Sequence, residues 1–355
     1  MTFIAERKGV VALGMTALTS RLMFGALVDM PDLGNGIWIA LVTALLMGLP
    51  LSLLLDRASA SFHAPGTQVL EQALGRGAAC LFYIPAFVLM VWDAACDGRM
   101  LNCVSNYFAL SARSLLTVFG VTMLVITLGS LSGFQSITCV AQIWLRFVPL
   151  VLIILLPVLI PRAHWGWLFP LLGGQVTNSI RAGFALGGHC ALISLLFLSA
   201  EPAPDKNDFM TTKILCASIL LCALVALMAR VMSPYLPMQP ATRMLAIERL
   251  LANERAPMTL QLLTMIASYS NLLLTCAFDL LMSGHLLKRI LPRLPEWLCL
   301  ILSSALCLLV GLMGWAEQYA ARFLNSFRYM VLALPAFALA CAALIRQKRR
   351  PSAHE

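Results

Sequence analysis

The chain has 355 residues, of which 60% are hydrophobic and only 12% are charged, against about 25% charged residues in an ordinary soluble domain. A single soluble core of this size cannot bury so much apolar surface, so the composition excludes an ordinary soluble protein and indicates a membrane protein. The formal net charge of +9 would suit a nucleic-acid-binding protein. The sequence has no basic patches interleaved with aromatic residues, however, which argues against nucleic acid as a partner.

Ten apolar stretches are each long enough to cross a bilayer. A helix rises about 1.5 Å per residue, so roughly twenty apolar residues span the hydrocarbon layer. The stretches predict an all-α polytopic membrane protein with about ten transmembrane helices, in one transmembrane domain that covers residues 1–355. Two short amphipathic helices are predicted outside the spans, at 67–74 and 241–253. In chain order the predicted spans are 10–27, 36–55, 79–104, 115–131, 137–160, 177–200, 214–235, 258–287, 297–315 and 327–345.

The basic residues are distributed unevenly between the two sides of the predicted membrane domain. If both termini share a compartment, thirteen lysines and arginines lie on their side and seven on the other. Because cytoplasmic loops carry the excess of positive charge, both termini are predicted to be cytoplasmic. The basic cytoplasmic tail at 347–355 either touches anionic lipid or only reflects this orientation.

Polar residues interrupt the first predicted span. Between Gly14 and Gly25, at mid-membrane depth, the segment contains Thr16, Thr19, Ser20 and Arg21. A charge within lipid costs about 2.5 to 3.5 kcal/mol on insertion scales, so Arg21 is expected to face protein or water. The pattern predicts that the first helix is broken at this point.

The sixth span has a similar interruption, formed by Gly187, Gly188 and His189. Breaks in the first helices of two five-helix halves are typical of inverted-repeat transporters that bind their substrate at mid-membrane. The predicted repeats are residues 1–160 and 172–346. Close helix packing is the alternative explanation for the two glycines. His189 is either a ligand contact or a hydrogen-bond partner of a neighbouring helix.

The third span contains two carboxylates, Asp93 and Asp97, one helical turn apart on the same face. Two carboxylates this close do not both stay ionised in a low dielectric without a cation, and Arg21 and Arg99 are the nearest candidates in sequence. Three interpretations stay open. The pair is a proton- or cation-linked site, or a salt bridge that joins spans one and three, or Asp97 and Arg99 are exposed near the outer membrane face.

The eighth span has a continuous polar stripe on an otherwise apolar helix. At 100° per residue its members fall within about 120° of one another. Such a stripe lines either an aqueous pathway or a helix interface, and five positions are many for packing alone. The stripe consists of Ser268, Asn271, Thr275, Asp279 and Ser283.

The sequence contains no nucleophile elbow, phosphate-binding loop or metal-spaced His/Glu set, so no enzymatic activity and no cofactor are predicted. The 11 cysteines lie mostly inside apolar segments, and no CxxC or Cys/His metal spacing occurs. They are interpreted as small buried apolar residues, without a disulfide framework or a metal site.

Several stretches resemble the spore germination permease family, the B-type subunit of nutrient germinant receptors and a branch of the amino acid/polyamine/organocation transporter superfamily. They are DMPDLGNGIWIALVTALLMGLPLSLLL in the first two spans, HAPGTQVLEQALGRGAACLFYIP before and into span three, FPLLGGQ before span six, and ERLLANERAPMTLQLL before span eight. The family's first span usually looks rich in glycine, whereas this chain has Ser20-Arg21 in that region.

The resemblance implies a ligand surrounded by spans one, three, six and eight. It implies an amino acid or similar small nutrient as ligand, A-type and C-type receptor subunits as partners, and the spore inner membrane of a bacterium as location. Carried over onto this sequence, the ligand-binding candidates are Thr19, Ser20, Arg21, Asp93, Asp97, Gly187, Gly188, His189, Asn271 and Thr275.

Three functional hypotheses follow. The first is a germinant receptor subunit, in which the nutrient shifts a permease-like fold between states that the partner subunits sense. The second is a proton- or cation-coupled amino acid transporter, with Asp93 or Asp97 as the coupling group. The third is a scaffold that has lost its transport site and keeps its polar residues for packing.

Overall fold

The computed structural model describes residues 7–59, 66–108, 115–162, 164–169, 176–191, 210–232 and 258–313, together with 331, 333, 337 and 338. All regular structure within these ranges is helical, as predicted. Short 3₁₀ turns occur at Gly34–Gly36, Ile160–Arg162 and Trp165–Leu168. The α-helices are α1 Arg7–Leu33, α2 Ile37–Ser59, α3 Gly66–Leu74, α4 Arg76–Phe108, α5 Leu115–Leu131, α6 Phe134–Leu159, α7 Val176–Cys190, α8 Met210–Met232, α9 Met258–Ile290 and α10 Glu296–Met313.

Five of these helices contain stretches that are long and apolar enough to cross a membrane, and they coincide with predicted spans two, three, seven, eight and nine. The stretches are Ile37–Arg57, Arg76–Leu101, Met210–Leu227, Ile266–Ile290 and Glu296–Met313. The multi-pass membrane protein expected from composition is thus confirmed. Predicted span ten and the amphipathic helix at 241–253 lie almost wholly outside the described residues.

Helices α5 and α6 correspond to predicted spans four and five, and they meet at an angle of 109°. The bend occurs at Gly133, whose φ of 107° lies in a region that residues other than glycine rarely adopt. Together the two helices are apolar enough for one broken span or a re-entrant pair.

Helix α1 is continuous through the polar segment between Gly14 and Gly25, so the predicted break in span one is wrong. The hydroxyl of Thr16 donates to the carbonyl of Ala12, one turn earlier, at 2.8 Å, which satisfies this polar side chain inside the helix. No proline interrupts the segment, and an interior glycine costs a helix only about 1 kcal/mol.

Helix α7 continues through Gly187 and Gly188 and ends at Cys190, in the middle of predicted span six. The glycines allow α7 to approach α2. A Cβ at Gly187 would lie 2.7 Å from the sulfur of Met47. Close packing, the alternative interpretation, therefore explains Gly187. The remainder of predicted span six, residues 192–200, lies outside the described ranges.

The helices pack as two groups. Helices α1 and α2 contact each other, and each contacts α7 and α8; α4, α5, α9 and α10 form a second group in which α4 and α9 share the most extensive interface. Helix α6 contacts α1 and α9. In the second group the buried ring of Phe119 fits against Gly98 and Gly311, since a Cβ at either glycine would collide with it.

A buried carboxylate joins α2 to α8 in the first group. Asp56, near the end of α2, accepts hydrogen bonds from the backbone N–H groups of Thr211 at 2.9 Å and Thr212 at 3.0 Å. The Thr212 hydroxyl also donates to it, at 2.7 Å. A carboxylate at a helix N-terminus satisfies unpaired N–H groups and complements the helix dipole. Asp56 is thus an N-cap of α8 supplied by another helix.

Candidate functional site

A buried ion-pair cluster lies where α1 meets α4 and α9. Its centre is the guanidinium of Arg21, which is 6% exposed. The Nη1 atom of Arg21 is 3.1 Å from an oxygen of Asp93, and Nη2 is 3.0 Å from an oxygen of Asp97. Nη2 also pairs with Asp279, which is fully buried. We call these four residues the Arg21 cluster.

The helical register and the packing of α4 on α9 create this arrangement. Asp93 and Asp97 lie on one face of α4 because residues four apart are stacked along a helix. Asp279 reaches the same point from α9. One turn before it, the thiol of Cys276 donates to the carbonyl of Ala94 at 3.4 Å, which fixes the two helices at the same level. Arg21 then enters from α1, in the other group of helices.

The Arg21 cluster has one positive side chain and three that are negative when ionised. An uncompensated charge in a low-dielectric interior is strongly unfavourable, and neighbouring carboxylates disfavour one another's ionised form. Electrostatics therefore favour the uptake of protons, or of a further cation, by the cluster. Reversible binding of a proton or cation is thus the chemistry that these four residues can perform.

Polar atoms beside the cluster have unused hydrogen-bonding capacity. Among the described residues, the buried atoms that make no hydrogen bond include Thr19 Oγ1, Ser20 Oγ and Arg21 Nε on α1 and Asp279 Oδ1 on α9. A buried donor or acceptor without a partner typically costs about 1–3 kcal/mol. Two of these atoms, Arg21 Nε and Asp279 Oδ1, belong to the cluster itself and offer a donor and an acceptor to a bound solute.

The structure brings together several of the predicted site residues. Arg21, Asp93 and Asp97 form one ion-paired group, and Thr19 and Ser20 adjoin it on α1. Asp97 is buried, so the interpretation that it is exposed at the membrane face is wrong.

On α9, the predicted residues Asn271 and Thr275 lie two turns and one turn before Asp279. Thr275 is buried, and its hydroxyl donates to the Asn271 carbonyl at 2.8 Å. Gly187 is not brought into the cluster, since its nearest neighbours belong to Met47 of α2. Gly188 and His189 lie at the end of α7.

Asp279 is the cluster member that the sequence interpretation missed as a site residue. The sequence pattern places it in the polar stripe of span eight but predicts neither a pairing with Arg21 nor a ligand contact. The available signal was a carboxylate in the middle of a membrane span, which is costly and therefore commonly functional. Its partner was not predictable without knowing that α9 packs against α4.

No family model and no curated protein matches this sequence. The resemblance to the spore germination permease family therefore stays a prediction. Solved structures, by contrast, match over nearly the whole chain, at low sequence identity.

MhsT, solved in complex with L-phenylalanine, matches with a TM-score of 0.74 and 12% identity, over 99% of this chain and 94% of MhsT. A nucleobase–cation symport family transporter with bromovinylhydantoin bound matches with a TM-score of 0.68 and 13% identity, over 96% and 78%. A manganese transporter of Eremococcus coleocola matches with a TM-score of 0.61 and 15% identity, over 95% and 85%. The chain has the fold of these three proteins.

Proposed function

We propose that this protein is a transporter-like membrane protein that binds a small solute beside Arg21 and links its binding to the uptake of protons or a cation by the Arg21 cluster. The observation that carries the proposal is the buried bridge from Arg21 on α1 to three aspartates on α4 and α9. A charged group of this kind in a membrane span is a candidate for ion coupling. The fold shared with solved transporters supports the same conclusion.

The cluster joins the two groups of helices, so a change in its ion pairs can change how the groups are arranged. Arg21 belongs to the α1 group, whereas its three carboxylate partners belong to the α4 group. Ion pairs across this boundary favour the arrangement seen in the structure. A solute or proton that competes for Arg21 or for Asp279 weakens the bridge. It shifts the equilibrium between arrangements by its difference in affinity for them.

The groups near Arg21 suit an amino acid or a similar zwitterion. The Arg21 and Ser20 side chains offer donors to a carboxylate, while Asp279 and Asp97 offer acceptors to an ammonium group. MhsT, with the same fold, was solved with L-phenylalanine. Thr19, Asn271, Thr275, Gly188 and His189 are the further ligand contacts that the proposal retains. The proposal also includes two five-helix repeats, residues 1–160 and 172–346, and a cytoplasmic location for both termini.

A binding measurement tests the position of the site. Purified protein in detergent is heated in the presence of each standard amino acid, and a concentration-dependent rise in melting temperature identifies the ligand. Ser20→Ala should weaken the response by roughly tenfold, the equivalent of a hydrogen bond to a charged group. Ser136→Ala is the matched control, because Ser136 is exposed on α6. Equal responses of both variants would place the ligand elsewhere.

A germinant receptor is the second candidate function, and a specific observation favours it. The family-like passage HAPGTQVLEQALGRGAACLFYIP corresponds to α3 and the beginning of α4. In this proposal the chain is the B-type subunit in a spore inner membrane, and A-type and C-type subunits read its change of state. Co-purification with A-type and C-type subunits on co-expression would support a receptor. Solute uptake by the isolated chain, without them, would support a transporter.

A further inference from the structure

A charged cavity of about 330 Å³ lies at the junction of α3, α4, α9 and α10, away from the Arg21 cluster. Three apolar spans begin or end here, Arg76–Leu101, Ile266–Ile290 and Glu296–Met313. The cavity is therefore at the level where hydrocarbon gives way to lipid headgroups and water. The ionisable residues that line it are Glu71, Arg76, His285, Lys288, Arg289 and Glu296.

Two of the cationic side chains are held in place by the protein. The ammonium of Lys288 donates to the carbonyls of Pro292 at 2.9 Å and Leu294 at 2.6 Å, in the turn that follows α9. The guanidinium of Arg289 is 3.6 Å from the carboxylate of Glu71. These contacts fix positive charge at the cavity wall, since both side chains line it.

Arg76 supplies donors that the protein leaves largely unused. Its Nη2 atom makes one long hydrogen bond, 3.4 Å, to the carbonyl of Arg289. A guanidinium has five N–H donors in a planar fork, a geometry that matches the oxygens of a phosphate group. Arg76 is thus well suited to hold an oxyanion against Arg289 and Lys288.

The two carboxylates at the cavity cancel only part of this positive charge. The carboxylate of Glu71 is paired with Arg289. Glu296 lies in the first turn of α10, where the helix dipole favours a negative side chain. Three cations against two carboxylates leave the cavity lining with a net positive formal charge.

We propose that this cavity binds a phosphate-bearing anion, either free phosphate or the headgroup of an anionic phospholipid. The three cations provide the charge, Arg76 provides the fork of donors, and the position at the end of the spans gives a headgroup access. The site is separate from the proposed solute site, since the cavity lining contains no residue of the Arg21 cluster.

The test uses the purified full chain and two phosphate sources. Inorganic phosphate is titrated in detergent, and phosphatidylglycerol is compared with phosphatidylcholine in nanodiscs, with melting temperature as the readout in both. Arg76→Gln should weaken binding by about tenfold, as expected for a lost charge-assisted contact. Arg57→Gln is the matched control, because Arg57 is an exposed arginine near the end of α2. Arg289→Gln is a second variant, used if Arg76→Gln does not yield monodisperse protein.

Saturable stabilisation by either source, weakened by Arg76→Gln and not by Arg57→Gln, supports the proposal. A response to phosphatidylglycerol alone identifies a lipid site, and a response to inorganic phosphate identifies a free-anion site. No saturable response to either source, or equal losses in the Arg76 and Arg57 variants, overturns the proposal.

Discussion

Replacing Arg21 should destabilise the protein far more than replacing any one of its partners. Arg21→Met leaves three buried carboxylates without their shared cation. Removing one member of a buried ion pair typically costs about 3 to 5 kcal/mol, and here three carboxylates lose the same partner. We therefore expect a loss at or above the upper end of that range.

The single carboxylate variants should behave differently. Asp97→Asn keeps an oxygen that accepts a hydrogen bond and leaves Arg21 paired with Asp93 and Asp279. It also reduces the excess of negative charge in the cluster. Its cost should therefore stay within about 1 kcal/mol, the usual net contribution of one hydrogen bond. In the Arg21→Met background the same substitution should recover part of the lost stability.

Equilibrium unfolding in mixed micelles, titrated with sodium dodecyl sulfate, measures these differences. Arg181→Met is the matched control, because Arg181 is exposed on α7, and it should change stability little. The reasoning is refuted if Arg21→Met is as stable as Asp97→Asn. It is also refuted if adding Asp97→Asn to Arg21→Met lowers stability further.

Three further predictions concern the fold. Asp56→Ala should lower stability by about 1–3 kcal/mol, because it leaves the buried first turn of α8 uncapped; the same titration measures it. Gly183→Ala should destabilise by about 1–3 kcal/mol, since its Cβ would lie 2.8 Å from a backbone oxygen of α2. Gly120→Ala, where nothing lies within 4 Å, should instead stabilise α5 by up to about 1 kcal/mol; the reverse order would contradict the packing argument. Cysteine placed at Ser352 should resist impermeant reagents in intact cells, whereas cysteine at Ser111 should react; the opposite pattern would invert the topology.

The spans were predictable from sequence because membrane crossing depends on the length of an apolar run, which can be read directly from the order of the residues. The predicted span 115–131 coincides with α5, and the predicted span 258–287 is nearly all of α9. The pairing of Arg21 with the aspartates of span three was also predictable, since a charge within lipid requires a partner. Its geometry, with two carboxylates on one face of α4, followed from helical periodicity.

Other features depended on packing that the sequence does not display. Asp279 joins the cluster only because α9 lies against α4. Glycine pairs serve both as helix breaks and as close contacts, and the neighbour across the interface decides between them. At Gly187 that neighbour is Met47, and α7 continues past the glycine pair only as far as Cys190. In α1 the helix continues through the polar segment, where the Thr16 hydroxyl donates to the Ala12 carbonyl of the same helix.

The most direct test of the central claim is solute uptake into proteoliposomes that contain only this chain. With the amino acid identified by the melting assay, uptake should require an inward proton or sodium gradient and collapse when an ionophore dissipates it. Asp279→Asn should abolish this dependence on the gradient, because it removes the fully buried carboxylate of the cluster. Glu71→Gln, a carboxylate outside the cluster, should leave it intact. Gradient-driven uptake that persists in Asp279→Asn would contradict the proposal that the Arg21 cluster couples the solute to an ion.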